Sequence, residues 1–235
     1  METREPSWTS GDRFADRSEA GALLGERLRH RAFTDPIVLG LARGGVVVGY
    51  EIARRLGAPM EVLVARKIGA PEHPEYAIGA VVESGLYHLD TRAIESLRVP
   101  EDLIDAELEA ARREIRRRVA VYRLDLPLPR VKGRDVLLVD DGIATGETAR
   151  VACRMLRDRG ARKIVLVAPV CPAGITRAGT FPEASELVVL RHAENFRAVG
   201  DFYARFPAVS DEAVLLLASR GRAPNPPRAD WQIQA

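Results

Sequence analysis

The fold of this chain is decided by one stretch of its sequence, Val136-Leu-Leu-Val-Asp-Asp-Gly-Ile-Ala-Thr-Gly-Glu-Thr148. The apolar residues predict a buried strand over 135–139, and the pattern after the loop predicts a helix over 145–159. Ligands of parallel sheets collect outside the carboxyl ends of the strands, where a helix N-terminus offers unpaired N–H groups and the positive end of its dipole. We therefore expect a phosphate-binding loop between this strand and this helix.

The residue types of the loop suit a phosphorylated ribose. Asp140 and Asp141 would accept hydrogen bonds from vicinal ribose hydroxyls. Gly142 and Gly146 permit close approach and unusual dihedral angles. A phosphate would lie in a cradle of backbone amides and hydroxyl groups formed by Ala144, Thr145, Gly146, Glu147 and Thr148. In the alternative interpretation, the two acids only cap the helix and the loop binds nothing.

Outward from this stretch, apolar runs alternate with helical patterns, as is typical of a mostly parallel sheet covered by helices on both faces. We expect a single α/β domain over 13–220, after a loose segment over 1–12 and before an extended tail over 221–235 that Trp231 could anchor. Strands are predicted over 37–41, 61–65, 135–139, 163–168 and 187–190, with a hairpin from 80–82 to 86–89. Helices are predicted over 18–30 with Ser18 as N-cap, 46–56 closed by Gly57, 100–122, 145–159 and 211–217.

The composition excludes several classes of protein. Lys and Arg (35) nearly balance Asp and Glu (33), so the net charge of +2 gives little reason to expect a nucleic-acid partner. Cys153 and Cys171 form no C-x-x-C pair, and the histidines lack carboxylates at metal-ligand spacing, so we expect packing roles for the thiols and no dedicated metal site. A Walker loop is absent, and no G-x-G-x-x-G follows either early strand. Without a signal peptide or a membrane-length apolar run, the chain is predicted to be cytoplasmic and free of membrane contact.

The predicted helix over 100–122 has acids in its first half and arginines in its second, the charge order that a helix dipole favours. We interpret this as a solvated helix face rather than a phosphate- or RNA-binding stripe, because the charges nearly cancel. Its apolar face is predicted to pack on the sheet, and could also serve a second copy in a homodimer.

The stretch 136–148 resembles the phosphoribosyl pyrophosphate loop of type I phosphoribosyltransferases, two acids followed by A-T-G-x-T. Agreement over 13 positions argues against the capping-only alternative. Leu41-Ala-Arg-Gly-Gly45 is similar to the family's pyrophosphate loop, whose residues here are Ala42, Arg43, Gly44 and Gly45. A simple glycine turn is the alternative there. Because family members often hold a non-proline cis peptide in that loop, we predict one around Ala42 and Arg43.

The resemblance also implies a flexible flap and a hood. The flap would span 67–79 and close over the substrate, with Lys67 as the cation nearest the chemistry and His73 and Glu75 as secondary candidates. The hood would come from about 80–95 and 191–206. Its aromatic residues could cover an acceptor base, although core packing explains them equally well; they are Phe196, Phe202, Tyr203 and Phe206.

The activity implied by the resemblance belongs to nucleotide metabolism. The enzyme would bind Mg²⁺ and phosphoribosyl pyrophosphate and transfer the phosphoribosyl group to a nitrogen nucleophile. Arg43, Lys67, Asp140 and Asp141 would be catalytic. Mg²⁺ would arrive on the diphosphate and ribose hydroxyls, with Asp140 or Asp141 reaching it through water. Ala144 replaces the aspartate base of 6-oxopurine-specific members, which disfavours hypoxanthine and guanine; the sequence does not name the acceptor.

Two alternatives remain at this level. Some proteins of this fold are regulators that sense phosphoribosyl pyrophosphate or nucleotides without catalysis. The same loop could also serve transfer from, or hydrolysis of, another phosphorylated sugar diphosphate.

Overall fold

The computed structural model describes residues 13–71 and 73–222, with the backbone alone for 73–75. The predictions for 1–12, for 223–235 and for Trp231 lie outside the described residues. The main sheet contains β1 (Ile37–Leu41), β2 (Met60–Leu63), β6 (Asp135–Val139), β7 (Lys163–Pro172) and β8 (Glu186–Ala193); a smaller sheet contains β3 (Ala65–Ala70), β4 (His73–Val82) and β5 (Tyr87–Leu89). The helices are α1 (Arg17–Leu28), α2 (Gly44–Leu56), α3 (Thr91–Leu97), α4 (Glu101–Arg123), α5 (Glu147–Asp158), α6 (Arg177–Thr180) and α7 (Asp211–Arg222), with a 3₁₀ turn over Val199–Phe202.

The five strands of the main sheet are all parallel and lie in the order β2-β1-β6-β7-β8. β1 and β6 are therefore neighbours, with Gly40 in register with Val139. The loops after these two strands consequently emerge side by side at one edge. This confirms the predicted α/β architecture of about five parallel strands and brings the two predicted ligand loops together.

Alternate residues of each buried strand supply two separate cores. On β6, Leu137 and Val139 face the core covered by α1, α2, α4 and α7, while Val136 and Leu138 face the core covered by α5. Cys153 and Cys171 are buried and free, as predicted for packing residues. Each face of the sheet is thus covered, which explains why the strands read as near-continuous apolar runs.

Several element ends differ from the sequence predictions. The N-cap of α1 is Asp16, whose carboxylate accepts hydrogen bonds from the backbone N–H groups of Ser18 and Glu19, so the prediction of Ser18 as cap is wrong. Gly57 closes α2 in a left-handed conformation, as predicted. Residues 221 and 222 continue α7 instead of starting the tail, because Arg222 pairs with Glu61 at 2.6 Å.

The segment predicted as a flexible flap over 67–79 forms most of an antiparallel hairpin, β3 with β4. Its prolines fall in the turn and at the start of β4, outside the part of β4 that pairs with β5, so they remove no hydrogen bond from that second pairing. Gly79 is required by the pairing, because a Cβ there would lie 2.3 Å from the carbonyl oxygen of His88. Glycine and proline therefore mark a β-hairpin here; movement of this segment as a flap stays a prediction. β4 and β5 form the second predicted hairpin.

The long helix α4 contacts mainly β3, β4 and α7, and its apolar side chains join the core on one face of the main sheet. Its apolar stripe is buried within the chain and includes Ile104, Leu108, Ala111, Ile115 and Tyr122. That stripe is therefore not available to a second copy; the homodimer itself stays a prediction.

Candidate active site

A cavity of about 310 Å³ opens at the carboxyl ends of β1 and β6. Both predicted ligand loops contribute to its wall, 41–44 after β1 and 140–149 after β6, and β3 and α4 contribute cationic side chains. Of the predicted site residues, all except Gly45 line this one space: Ala42, Arg43, Gly44, Lys67, Asp140, Asp141, Ala144, Thr145, Gly146, Glu147 and Thr148. The described structure thus assembles the two motifs that lie about 100 residues apart in the chain.

The loop after β1 is packed against the acid pair. The peptide bond between Ala42 and Arg43 is cis, which confirms the predicted feature. A Cβ on Gly44 would lie 1.8 Å from Asp141 Oδ2, and one on Gly45 would lie 2.4 Å from the carbonyl oxygen of Val139. Glycine is needed at both positions because no side chain fits between the two loops; Gly45 therefore serves the site by allowing this approach.

The two acids differ in their partners. Asp141 accepts a hydrogen bond from Arg17 Nε at 2.7 Å, and its backbone carbonyl accepts one from the Tyr203 hydroxyl at 2.6 Å. Burial raises the pKa of Asp140, the neighbouring Asp141 carboxylate raises it further, and the charge of Lys67 opposes the shift. Asp141 is thus held in a fixed position, whereas Asp140 remains to meet a ligand.

The cradle after the acid pair is the N-terminal end of α5. Gly146 is in the left-handed region, with φ of 83°, and the ring of Phe181 packs where a side chain would extend. The first turn of a helix leaves backbone N–H groups unpaired, and in α5 this first turn lines the cavity. The carboxylate of Glu147 turns toward Arg150 and His88, at 3.3 and 3.6 Å, so only its backbone suits an anion.

Among the described residues, four cationic side chains line the cavity: Arg43, Arg66, Lys67 and Arg118. Arg43 also lies 3.7 Å from Asp211, the first residue of α7. Asp211 in turn accepts hydrogen bonds from Arg117 and from the Tyr122 hydroxyl. These contacts hold the pKa of Asp211 below its usual value, mainly through the Tyr122 hydrogen bond, and keep an anion beside Arg43.

Sequence reasoning missed Arg17, Arg118 and Asp211. Both arginines belong to helices of the structure, Arg17 as the first residue of α1 and Arg118 in the second half of α4. Arg17 lies just before the predicted helix over 18–30, so no helical pattern indicated that its side chain points inward. For Arg118, the charge balance of the whole helix hid the one arginine that faces the cavity.

Of the two interpretations of the aromatic residues over 196–206, the described structure supports core packing. Phe202 and Tyr203 are 6% and 2% exposed and form a small core with Phe14. Phe196 stacks on Phe202, and Phe206 stacks on Tyr203. From this segment Val199 lines the cavity instead, so the aromatic residues pack the hood rather than face a ligand. The side chains of His73 and Glu75 lie outside the described residues.

Comparison with known proteins agrees with this architecture. The family model of the phosphoribosyl transferase domain matches residues 15–203. The chain belongs to the type I phosphoribosyltransferase family. A Mycobacterium tuberculosis H37Rv protein, provisionally named a phosphoribosyl transferase, is 37% identical over 232 residues, which are 94% of this chain and 52% of that relative. This chain therefore spans about half the length of that relative.

Two further relatives extend the comparison. A crystal structure of a Thermus thermophilus protein superposes with a TM-score of 0.71 at 41% identity, covering 88% of this chain and 98% of that one. An adenine phosphoribosyltransferase of Mycobacterium avium is 29% identical over 148 residues, 63% of this chain and 62% of its own. Among the helices of residues 13–71 and 73–222, none has the length and apolar character needed to cross a membrane.

Proposed function

We propose that this chain is an enzyme that binds Mg²⁺-chelated phosphoribosyl pyrophosphate in the cavity and transfers the phosphoribosyl group to a nitrogen nucleophile. The observation that carries the proposal is the composition of one cavity wall: a helix N-terminus, Asp140 and four cationic side chains. A ligand with a phosphate, vicinal hydroxyls and a diphosphate has one group for each of these parts. Charged ligands with fewer groups would leave part of the wall unmatched.

In the proposed reaction, the bond between the anomeric carbon and the pyrophosphate oxygen breaks and pyrophosphate leaves with the bonding electrons. The lone pair of the acceptor nitrogen forms the new C–N bond with inversion, and its proton passes to solvent. Residues 144–148 hold the 5′-phosphate, and Asp140 accepts hydrogen bonds from the ribose hydroxyls. Arg43 and Lys67 stabilise the charge that develops on pyrophosphate.

Mg²⁺ fits this site as part of the substrate complex rather than as a resident ion. The described residues contain no group of three His, Cys, Asp or Glu side chains that could hold a metal. Asp141 is occupied by Arg17, so Asp140 is the carboxylate left to reach a hydrated cation. When bound, Mg²⁺ would neutralise charge on the diphosphate and so favour its departure.

The acceptor is proposed only as a nucleobase-like nitrogen nucleophile. Similarity to the M. avium adenine phosphoribosyltransferase supports this class. Ala144 provides no acidic group at the position where 6-oxopurine-specific members carry one, so hypoxanthine and guanine are disfavoured acceptors. A screen of nucleobases for pyrophosphate release would identify the acceptor.

Calorimetric titration with phosphoribosyl pyrophosphate and Mg²⁺ tests the proposal. We expect the unmodified chain to bind, Asp140→Asn to lose most of the affinity, and Asp158→Asn to behave as the parent. Asp158 is a matched control because it undergoes the same charge change at the exposed end of α5. Absence of binding to the unmodified chain would overturn the proposal.

Product analysis separates enzyme from regulator. Binding followed by pyrophosphate release with a nucleobase supports transfer. Binding with no release for any acceptor would favour the sensing role that some proteins of this fold have. Release of pyrophosphate without any acceptor would indicate hydrolysis.

A further inference from the structure

The four cations of the cavity come from three separate parts of the fold. Arg43 follows β1, Arg66 and Lys67 belong to β3, and Arg118 belongs to the last turns of α4. Two of the acids in the cavity wall have their own partners, Asp141 in Arg17 and Glu147 in Arg150. Arg43 and Arg118 are also paired, with Asp211 and Glu114. Arg66 and Lys67 then remain against Asp140, so the cavity wall formed by the described residues keeps an excess of positive charge.

Arg118 is held in place by its own helix. Its Nε donates to Glu114 Oε1 at 2.8 Å, and only 18% of its side chain is exposed. Glu114 also pairs with Arg117, and the hydrogen bond from Arg117 is the main cause that lowers the pKa of Glu114 to about 2. Glu114 thus stays ionised in ordinary buffers, and the Arg118 guanidinium keeps its anchor while its two amino groups remain for a ligand.

The surroundings of Arg118 connect it to Arg43 through paired side chains. Glu114 pairs with both Arg118 and Arg117. Asp211 joins the same group, since it pairs with Arg117 and with Arg43. Through these contacts Arg118 belongs to the same connected group of side chains as Arg43, and both line the cavity.

We infer that Arg118 contacts the diphosphate of the bound substrate and stabilises it together with Arg43 and Lys67. This inference rests on the proposed function and adds to it a ligand-contacting residue from α4. A guanidinium suits this role because its planar set of donors can meet two phosphate oxygens at once. The remaining arginines of the second half of α4 lie on other faces of the helix, and only Arg118 of them lines the cavity among the described residues.

The test compares Arg118→Met with Arg116→Met by calorimetry. Arg116 is the matched control because it lies on the same helix, is exposed and is removed with the same change of charge. Each variant is titrated with Mg²⁺-phosphoribosyl pyrophosphate, with Mg²⁺-pyrophosphate and with ribose 5-phosphate. We expect Arg118→Met to weaken the first two ligands by about tenfold or more and to leave ribose 5-phosphate unchanged, as a lost charge-assisted hydrogen bond predicts. Arg118→Lys should recover part of the affinity.

Each outcome decides the inference. Equal losses of affinity in Arg118→Met and Arg116→Met would show that the effect comes from the overall positive charge of α4, and would overturn a direct contact. A loss for ribose 5-phosphate as large as for pyrophosphate would place Arg118 elsewhere and also overturn it. Unchanged binding of all three ligands would refute this inference alone, whereas failure of the parent chain to bind phosphoribosyl pyrophosphate would refute the proposed function with it. Equal thermal midpoints for the two variants exclude misfolding as the cause of a difference.

Discussion

Arg17 Nε lies 2.7 Å from Asp141 Oδ2, and the same guanidinium lies 3.6 Å from the centre of the Phe206 ring. A third contact runs from Arg17 Nη1 to the carbonyl oxygen of Pro207 at 2.7 Å. One side chain near the start of the described residues thus joins α1 to the acid loop and to the segment before α7. It also explains why the two adjacent acids are not equivalent.

Replacing Arg17 should destabilise the chain. Both partners of the ion pair are mostly buried, at 10% and 17% side-chain exposure, so Arg17→Met leaves the Asp141 carboxylate without its counter-charge. Breaking such a pair costs about 3–5 kcal/mol. The free energy of unfolding from urea titration measures the loss. Arg17→Lys keeps the charge but loses the planar contact with Phe206, so its free energy of unfolding should lie between those of the parent and Arg17→Met. A parent-like value for Arg17→Met would contradict the structural role.

Gly44→Ala should abolish ligand binding. The added Cβ would lie 1.8 Å from Asp141 Oδ2 and 3.0 Å from Arg17 Nε, so the loop after β1 must move away from the acid pair. Gly174→Ala is the matched control, because a Cβ there meets nothing within 4 Å and the backbone has an ordinary φ. Calorimetry with Mg²⁺-phosphoribosyl pyrophosphate should show binding for Gly174→Ala and none for Gly44→Ala. Equal affinities would show that the two loops tolerate separation.

Asp140 should make stability fall as pH rises. Its folded-state pKa is raised by burial and by Asp141, so the folded chain holds a proton that the unfolded chain has lost. This contribution is fully present below the unfolded pKa of about 3.9 and is lost as pH rises through the folded pKa. As the pH rises above the pKa of an ordinary aspartate, the free energy of unfolding of Asp140→Asn should therefore increase relative to that of the parent. A difference that is flat with pH would refute the shift.

Ligand binding should show the opposite dependence. Ribose hydroxyls and a hydrated Mg²⁺ both favour the ionised form of Asp140, so substrate affinity should increase with pH across the same window and binding should release a proton. Titrations in two buffers of different ionisation enthalpy measure that proton. Proton release that persists in Asp140→Asn would assign it to another group.

Glu83→Gln should loosen the small sheet. Arg123 Nη1 donates to Glu83 at 2.8 Å and to the carbonyl oxygen of Val62, and Glu83 accepts from the backbone N–H of Val64. The side chains of the pair are only 3% and 5% exposed, so its loss should cost about 3–5 kcal/mol. Glu109→Gln, which removes the exposed partner of Arg112, should change the unfolding midpoint little. Similar midpoints for both variants would contradict this anchoring role.

The sequence predicted best where one local pattern determined one element. The strands over 37–41 and 135–139 have the predicted bounds, since each is an apolar run between clear turn residues. The positions of the two loops after β1 and β6 were also predicted, because each turn with glycines follows a buried strand; ligand binding by these loops stays a prediction. Because β1 and β6 are neighbouring parallel strands, the strand order places these two loops side by side.

Prediction failed where the outcome depends on geometry or on packing partners that the local sequence pattern does not show. Asp16 competes with Ser18 for the α1 cap through a geometry that composition does not reveal. The hairpin of β3 and β4 depends on pairing across its turn, which outweighs its glycines and prolines. Arg17 and Arg118 became site residues only through the packing of α1 and α4 against other segments, which their own helices do not encode.

The contacts around the cavity extend from Arg17 to Asp211. During synthesis, residue 211 must therefore be translated before the last of these contacts can form. A chain that ends before residue 211 lacks the contact between Asp211 and Arg43 at the cavity. Stabilisation by a bound ligand acts only on the state that binds it. In a cell, abundant ligand would shield finished molecules from proteases while leaving incomplete ones open to degradation.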